Sequence, residues 1–276
     1  MANRKILFVT QEITPYLPSN EIADLGRSLP QSLQGKGYEV RTFMPKFGAI
    51  NERRNQLHEV IRLSGLNIEI NDNDHPLILK VASMQPVRIQ VYFIDNDDYF
   101  QKSKDDADAF GSNRPDNDER AIYFARGTME TVKKLRWEPD IIQCSGWMTA
   151  LTPLYMRPSD DAQPFGNAKT VYCVTPDGPL MAPIDPEMFK KLLDDGMPED
   201  IINEVKGAET ADSLVTTNVL HKIAILRSHG VVFLTDTPDP ELLDFVEKKE
   251  IPYITKDEAM KGREAFTQFY DKLLNS

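Results

Sequence analysis

The sequence predicts an α/β fold: a doubly wound, Rossmann-like, mostly parallel sheet carrying an antiparallel hairpin insertion. Three observations predict it. A strand-helix-strand unit opens the chain, as in doubly wound folds. Between Arg114 and Trp147 a helix, a short buried strand and a sharp turn into the next helix describe one winding of such a sheet. Between these two units, four short strand-like runs crowd the segment from His58 to Asp95, as in hairpins.

The first strand is the continuous apolar run Lys5-Ile-Leu-Phe-Val-Thr10, which reads as buried and parallel. A loop with Pro15 and Pro18 leads into a helix over about Glu21 to Gly35. Its inner face is Ile22, Leu25, Leu29 and Leu33, and Gly35 and Gly37 supply the stop. Tyr38 to Met44 is the second strand. Val60–Leu63, Leu66–Ile70, Leu77–Val81 and Val87–Ile94 follow, with turn signals at Asn71-Asp-Asn-Asp and Gln85-Pro86. They are expected to form antiparallel hairpins ending in a return strand at Val87–Ile94. The acidic stretch after Asp95 is expected to be a solvated loop.

Asp116 is placed to N-cap the central helix, with Glu119 completing a capping box. Ile122, Phe124, Ala125, Thr128, Met129, Val132 and Leu135 form its apolar stripe. Pro139 breaks it, Asp140 to Cys144 is a buried strand, and a helix opens near Trp147. A polar linker from Pro158 to Asn167 precedes the strand Lys169–Val174. Asp185-Pro-Glu187 and Asp239-Pro-Glu241 each start a helix. Leu214–Leu226 is helical, Val231–Leu234 and Ile251–Ile254 are strands, and Ala265–Leu274 is the closing helix. Residues 1–276 suffice for one large α/β domain or two small ones, and are expected to make a single domain, with about 236–276 as a strand-helix cap on the sheet.

A net charge of −11 argues against nucleic acid and anionic membrane surfaces, which want a basic face. It suits a neutral ligand or a protein partner. No run reaches membrane-spanning length, and the apolar run after Lys5 is too short for a secretory signal, so the cytoplasm is the expected compartment. Cys144 and Cys173 each end an apolar strand-like run and are expected to be buried, reduced thiols. There is no phosphate-binding P-loop, G-x-G-x-x-G, G-x-S-x-G, H-E-x-x-H or C-x-x-C, and His58, His75, His221 and His229 are scattered. No metal and no cofactor is expected. The strand-end stretch Gln143, Cys144, Ser145, Gly146 and Trp147 lies where such a sheet binds ligands.

Several motifs go further. Gln11-Glu-Ile-Thr-Pro-Tyr-Leu-Pro18 is similar to S-E-x-x-P-x-x-K. Val40-Arg-Thr-Phe-Met-Pro-Lys-Phe-Gly48 is similar to V-x-V-x-x-P-x-Y-G. Asp116-Asn117, Glu119-Arg120 and Phe124, then Trp137-x-Pro-Asp140 and Trp147, are similar to D-N-x-E-R-x-x-x-F and W-x-P-D-x-x-H-x-H-D-W. From Lys5 to Thr235 the chain resembles the N-terminal catalytic domain of bacterial glycogen and plant starch synthases. These are retaining ADP-glucose glucosyltransferases of the two-domain GT-B type.

The departures fall where the resemblance puts the chemistry. The family's K-x-G-G-L loop cradles the sugar-nucleotide; here it reads Pro18-Ser19-Asn20-Glu21-Ile22. The cation for the diphosphate and both glycines are gone. Glu21 adds a negative charge, which at ~4 Å and an effective dielectric of about 20 costs a diphosphate up to ~4 kcal/mol. The H-x-H-D-W positions carry Gln143, Ser145 and Gly146, with only Trp147 kept, and the family's I-H-N reads Val174-Thr175-Pro176. Lys222 matches a lysine of the family's long helix.

No catalytic residue is therefore assigned. Pro18, Ser19, Asn20, Glu21, Trp147, Thr175 and Asp177 are the substrate-binding candidates. The resemblance implies a synthase-like protein without autonomous glucosyl transfer, acting as a glucan-binding or regulatory module with α-glucan or a glycogen-metabolism enzyme as partner. Two other readings stand beside it. One is a glucosyltransferase completed by a separate chain that supplies the nucleotide-binding domain. The other is small-molecule binding in the same crevice through Gln143, Ser145, Thr175 and Asp177.

Overall fold

The structure, a computed structural model, describes residues 4–156, 164–176, 184–206 and 216–276. Asp177, most of the polar linker and the first residues of the Leu214 helix lie outside the described residues.

A nine-stranded sheet spans the domain. Its strands are β1 (Lys5–Thr10), β2 (Glu39–Pro45), β3 (His58–Glu59), β6 (Ile78–Met84), β7 (Ile89–Asp95), β8 (Ile141–Ser145), β9 (Lys169–Val174), β10 (Gly230–Phe233) and β11 (Tyr253–Ile254). The order is β11-β10-β9-β8-β1-β2-β7-β6-β3. All pairings from β11 to β7 are parallel, and β6 and β3 add on antiparallel. The chain therefore winds one way from β1 through β2 to β7, and the other way from β8 to β11. The reversal falls between β1 and β8, whose every residue is buried or nearly so, as expected of strands covered on both faces.

The helices are α1 (Glu21–Gln34), α2 (Asp97–Phe100), α3 (Asn117–Leu135), α4 (Thr152–Tyr155), α5 (Met188–Asp194), α6 (Glu199–Lys206), α7 (Thr217–Leu226), α8 (Pro240–Lys248), α9 (Lys256–Ala259) and α10 (Arg263–Leu274). Asn20 caps α1 by accepting from the Ala23 amide, and Asp239 caps α8 by accepting from Glu241, with Pro240 at the first turn. No described helix is long and apolar enough to cross a membrane. Cys144 and Cys173 are both fully buried, and burial pushes the Cys173 thiol up to about 12.

Several expectations need correction. Asp116 sits at the start of α3 but makes no capping bond, and Glu119 turns away to accept from Tyr99 and to pair with Lys191. Val60–Leu63 is no strand: residues 61–63 form a turn, and pairing with β6 is limited to His58–Glu59 and the Val60 amide, which donates to the Leu79 carbonyl at 2.8 Å. The insertion instead contains a separate hairpin of β4 (Asn67–Ile70) and β5 (Asn73–Pro76), closed by Asn71 and Asp72 at φ 52° and 60°. Two consecutive positive φ values suit a two-residue hairpin turn. The acidic stretch is not simply solvated: Asp95 is buried against Lys80 at 2.8 Å, and Asp106 pairs with Arg114 at 2.6 Å.

The last forty residues are joined to the centre of the sheet. Phe266, Phe269, Tyr270 and Leu273 bury one face of α10, and the Tyr270 hydroxyl donates to Gln143 of β8. Tyr270→Phe removes the bond to the buried Gln143 oxygen and is expected to lower unfolding stability by about 1–3 kcal/mol, as read by urea denaturation.

Candidate functional site

A cavity of about 390 Å³ opens at the carboxyl ends of the central strands. Gln11 and Glu12 follow β1, Trp147 follows β8, Pro176 follows β9, and Leu234 and Asp236 follow β10. This is the position the winding dictates, because a crevice forms where the strand order reverses. Asn20, Glu21 and Ile22 at the start of α1 make one wall. Asp108, Phe110 and Ser112 make another, and Lys256 of α9 reaches in from the C-terminal segment.

Of the sequence-derived candidates, Asn20, Glu21 and Trp147 line this cavity. Trp147 is also core: it is buried in a single helical turn, Trp147–Thr149. Pro18 is exposed, and the Ser19 hydroxyl donates to Asp24 at 2.8 Å, so neither is on the wall. Thr175 is buried beside the cavity while its neighbour Pro176 lines it. Gln143 and Ser145 face a separate void of about 10 Å³ against α1, room for about one water. With Gln143 held by Tyr270, the pair offers no reacting group to the main cavity.

Gly146 has φ 92° and ψ 158°, a region essentially reserved for glycine. A Cβ there would lie 2.8 Å from the Gln11 Cβ. The Gln11 side chain is fixed in that place by accepting from the Met148 amide at 3.2 Å. Lys222 pairs with Glu241 at 2.5 Å and lies off the cavity wall.

The electrostatics of the crevice are acidic. Four carboxylates line it, Glu12, Glu21, Asp108 and Asp236, against one ammonium among the described lining residues, Lys256. Glu21 does not stand as a free charge: Lys256 binds it at 2.6 Å and Asp236 at 2.9 Å. Those bonds raise the Lys256 pKa, with the Glu21 bond first. Burial raises the Glu12 pKa, opposed by the Asn20 amide that donates to it at 2.6 Å. Phe110, Trp147, Ile22 and Leu234 supply apolar faces between these polar groups.

The wall carrying Asp108, Phe110 and Ser112 was invisible in the sequence, where it reads as acidic loop. Arg120 of α3 builds it. Its guanidinium is 1% exposed and donates to the carbonyls of Tyr99 (2.9 Å), Phe110 (2.7 Å) and Gly111 (3.1 Å), and to Asn117 Oδ1 (2.6 Å). Burial pulls its pKa down to about 10, which leaves it charged at neutral pH. Phe110 then packs edge-on to Phe47 at 5.4 Å. The signal available in sequence was the E-R pair at Glu119-Arg120, which is positional here rather than chemical.

A doubly wound, mostly parallel sheet with a hairpin excursion and a strand-end crevice is the arrangement expected of one domain of a GT-B fold. The chain belongs to the starch synthase catalytic domain family, whose model matches residues 5–174. It is 34% identical to the glycogen synthase of Chlorobium luteolum, over 82% of this chain and 48% of the relative. It is 35% identical to that of Chlorobium limicola, over 79% and 46% respectively. The chain thus spans about half the length of the curated relatives it matches. Its fold is similar to the catalytic domain of starch synthase IV from Arabidopsis thaliana bound to ADP and acarbose. The TM-score is 0.67 at 16% identity, covering 92% of this chain and 51% of that one.

Proposed function

We propose that this domain binds α-1,4-glucan in the strand-end crevice, as a binding or regulatory module of glycogen metabolism without glucosyl transfer of its own. The observation that carries this is the charge of the cavity: four carboxylates, with the one ammonium among the described lining residues already shared by two of them. A nucleotide diphosphate needs free cations or backbone amides at close approach. A neutral sugar needs hydroxyl acceptors and apolar faces, which Glu12, Asp108, Phe110 and Trp147 supply. The Arabidopsis catalytic domain is bound to ADP and acarbose; among the described lining residues this crevice keeps no free lysine for the former.

Calorimetric titration with maltoheptaose, and separately with ADP-glucose, tests the reading. Heat with the oligosaccharide alone is expected. Micromolar binding of ADP-glucose, or silence with both, overturns it.

A second reading rests on family membership and on the span of about half the relatives' length. It makes the domain one half of a glucosyltransferase, with a separate chain closing the crevice and supplying the nucleotide site. Glucose incorporation into glycogen by a reconstituted mixture, absent from either chain alone, is its expected result.

A further inference from the structure

His75 is not on the crevice wall; it sits where the β4–β5 hairpin meets α2 and α3. Its Nδ1 lies 3.0 Å from Asp98 Oδ2, and its Nε2 lies 3.0 Å from the Tyr99 hydroxyl. That hydroxyl lies 2.9 Å from Glu119 Oε2, and Lys191 of α5 binds the other oxygen of Glu119 at 2.7 Å. Tyr123 of α3 meets the imidazole edge-on, with ring centres 6.4 Å apart, and Ile68 stands opposite His75 on β4. Asp116, at the start of α3, acts on the Tyr99 hydroxyl from further off, and Asp74 neighbours His75 on its own strand. Asp98, His75, Tyr99 and Glu119 thus form one chain of polar contacts.

The protons in this chain can be counted. Both ends are carboxylates, which only accept when ionised. Each of the three contacts between them needs a proton. Tyr99 brings one, and burial, followed by Glu119, pushes its pKa up, so the hydroxyl keeps it. A neutral imidazole brings one more and an imidazolium two. With Lys191 on the other Glu119 oxygen, the third proton belongs on the ring, so all three contacts close only with the imidazolium. When the ring gives up a proton, one contact opens. The contact to Asp98 is the cheapest to lose, because that carboxylate is 64% exposed and water replaces the donor. Glu119 is 23% exposed and Tyr99 is buried, so the remaining proton stays on Nε2, toward Tyr99.

We propose that His75 is a pH-operated clasp between the β4–β5 hairpin and α2, shut as the imidazolium and open as the neutral ring. Histidine changes charge between roughly pH 5 and 8, so the clasp opens as pH rises through that range. The opening is local, because Asn96 and Tyr123 both donate to the Pro76 carbonyl and keep the end of the hairpin in place. It falls at the root of the crevice wall, since Arg114 and Arg120 both grip the Tyr99 carbonyl. The clasp does not depend on what the crevice binds.

Long-range proton–nitrogen NMR of the histidine rings reads the clasp directly. Between about pH 5.5 and about pH 8, His75 is expected to lose its Nδ1 proton and keep the one on Nε2. Hydrogen–deuterium exchange, corrected for the intrinsic effect of pH, is expected to quicken about two- to fivefold over the same rise in residues 67–75 and 97–100. That is the range set by an ion pair with one exposed partner. Asp98→Asn discriminates further. An amide accepts from Nδ1–H and donates to a bare Nδ1, so in this variant the clasp stays shut at both pH values and the difference should vanish. A neutral ring that keeps its proton on Nδ1 overturns the proposal. So does equal corrected exchange at the two pH values in the parent, or a difference that persists in Asp98→Asn.

Discussion

Arg120→Ala is expected to cost about 3–5 kcal/mol of unfolding free energy, the size seen when a buried charged partner is deleted. The Phe110 carbonyl and the Asn117 side chain lose their donor, while the carbonyls of Tyr99 and Gly111 each lose one of two and keep a bond from Arg114. The guanidinium also lies over the rings of Phe47 and Phe100 at 5.9 and 5.6 Å, so the truncation removes packing as well. The functional effect should exceed the loss of stability. Residues 99–112 are held by Arg120 and by Arg114, which binds Asp106 and the Tyr99 carbonyl. Without the first, Phe110 and Asp108 leave the crevice wall. Oligosaccharide binding should disappear at temperatures where the variant is still folded. Arg120→Lys should rescue little, because one ammonium cannot span acceptors arranged for a planar fork. Urea denaturation and calorimetry check both halves; a variant within 1 kcal/mol of the parent would show that the loop does not depend on Arg120.

Much of the sheet was legible because it is written in local pattern. The run Ile6-Leu-Phe-Val9 and the stripe on α3 each carry one period and one environment. Where the fold departed from expectation, a distant partner decided. Asn73-Asp-His-Pro76 has no strand propensity, yet it pairs with β4 because the turn at Asn71-Asp72 folds it back. Val60-Ile-Arg-Leu63 has the apolar content of a strand, yet Ile61 is 82% exposed in a turn. Asp95 reads as surface and is buried because Lys80 meets it from the antiparallel neighbour.

The candidate site divides the same way. Asn20, Glu21 and Trp147 could be found, since their positions follow from strand ends and a helix start. Asp108, Phe110, Asp236 and Lys256 could not. They reach the cavity from an arginine-stapled loop and from the C-terminal segment, and no spacing in the sequence relates them to β1 or β8. The charge of Glu21 was legible, but its neutralisation by Lys256 was not.

Gly146→Asp writes the family's aspartate back into the strand-end motif, and the structure sets what it costs. The backbone there, at φ 92° and ψ 158°, is strained by about 1–3 kcal/mol for any residue with a Cβ. The Cβ also meets Gln11 at 2.8 Å, and overpacking adds about 1–3 kcal/mol. A total loss of about 2–6 kcal/mol is expected by equilibrium unfolding. The double variant Q11G/G146D separates the two causes. It should recover the packing share and leave the backbone share, because glycine removes the Cβ that the new side chain meets but does not rotate the peptide at 146. Neither variant should transfer glucose from ADP-glucose. The departure from the family's motif is then a property of the main chain around Gly146 as well as of the side chains. The added carboxylate would also join Glu12 and Asp108 near a crevice already short of cations. If Gly146→Asp proved as stable as the parent, the strand end would have a second backbone arrangement within reach. The crevice's preference for a neutral ligand would then follow from its charges alone.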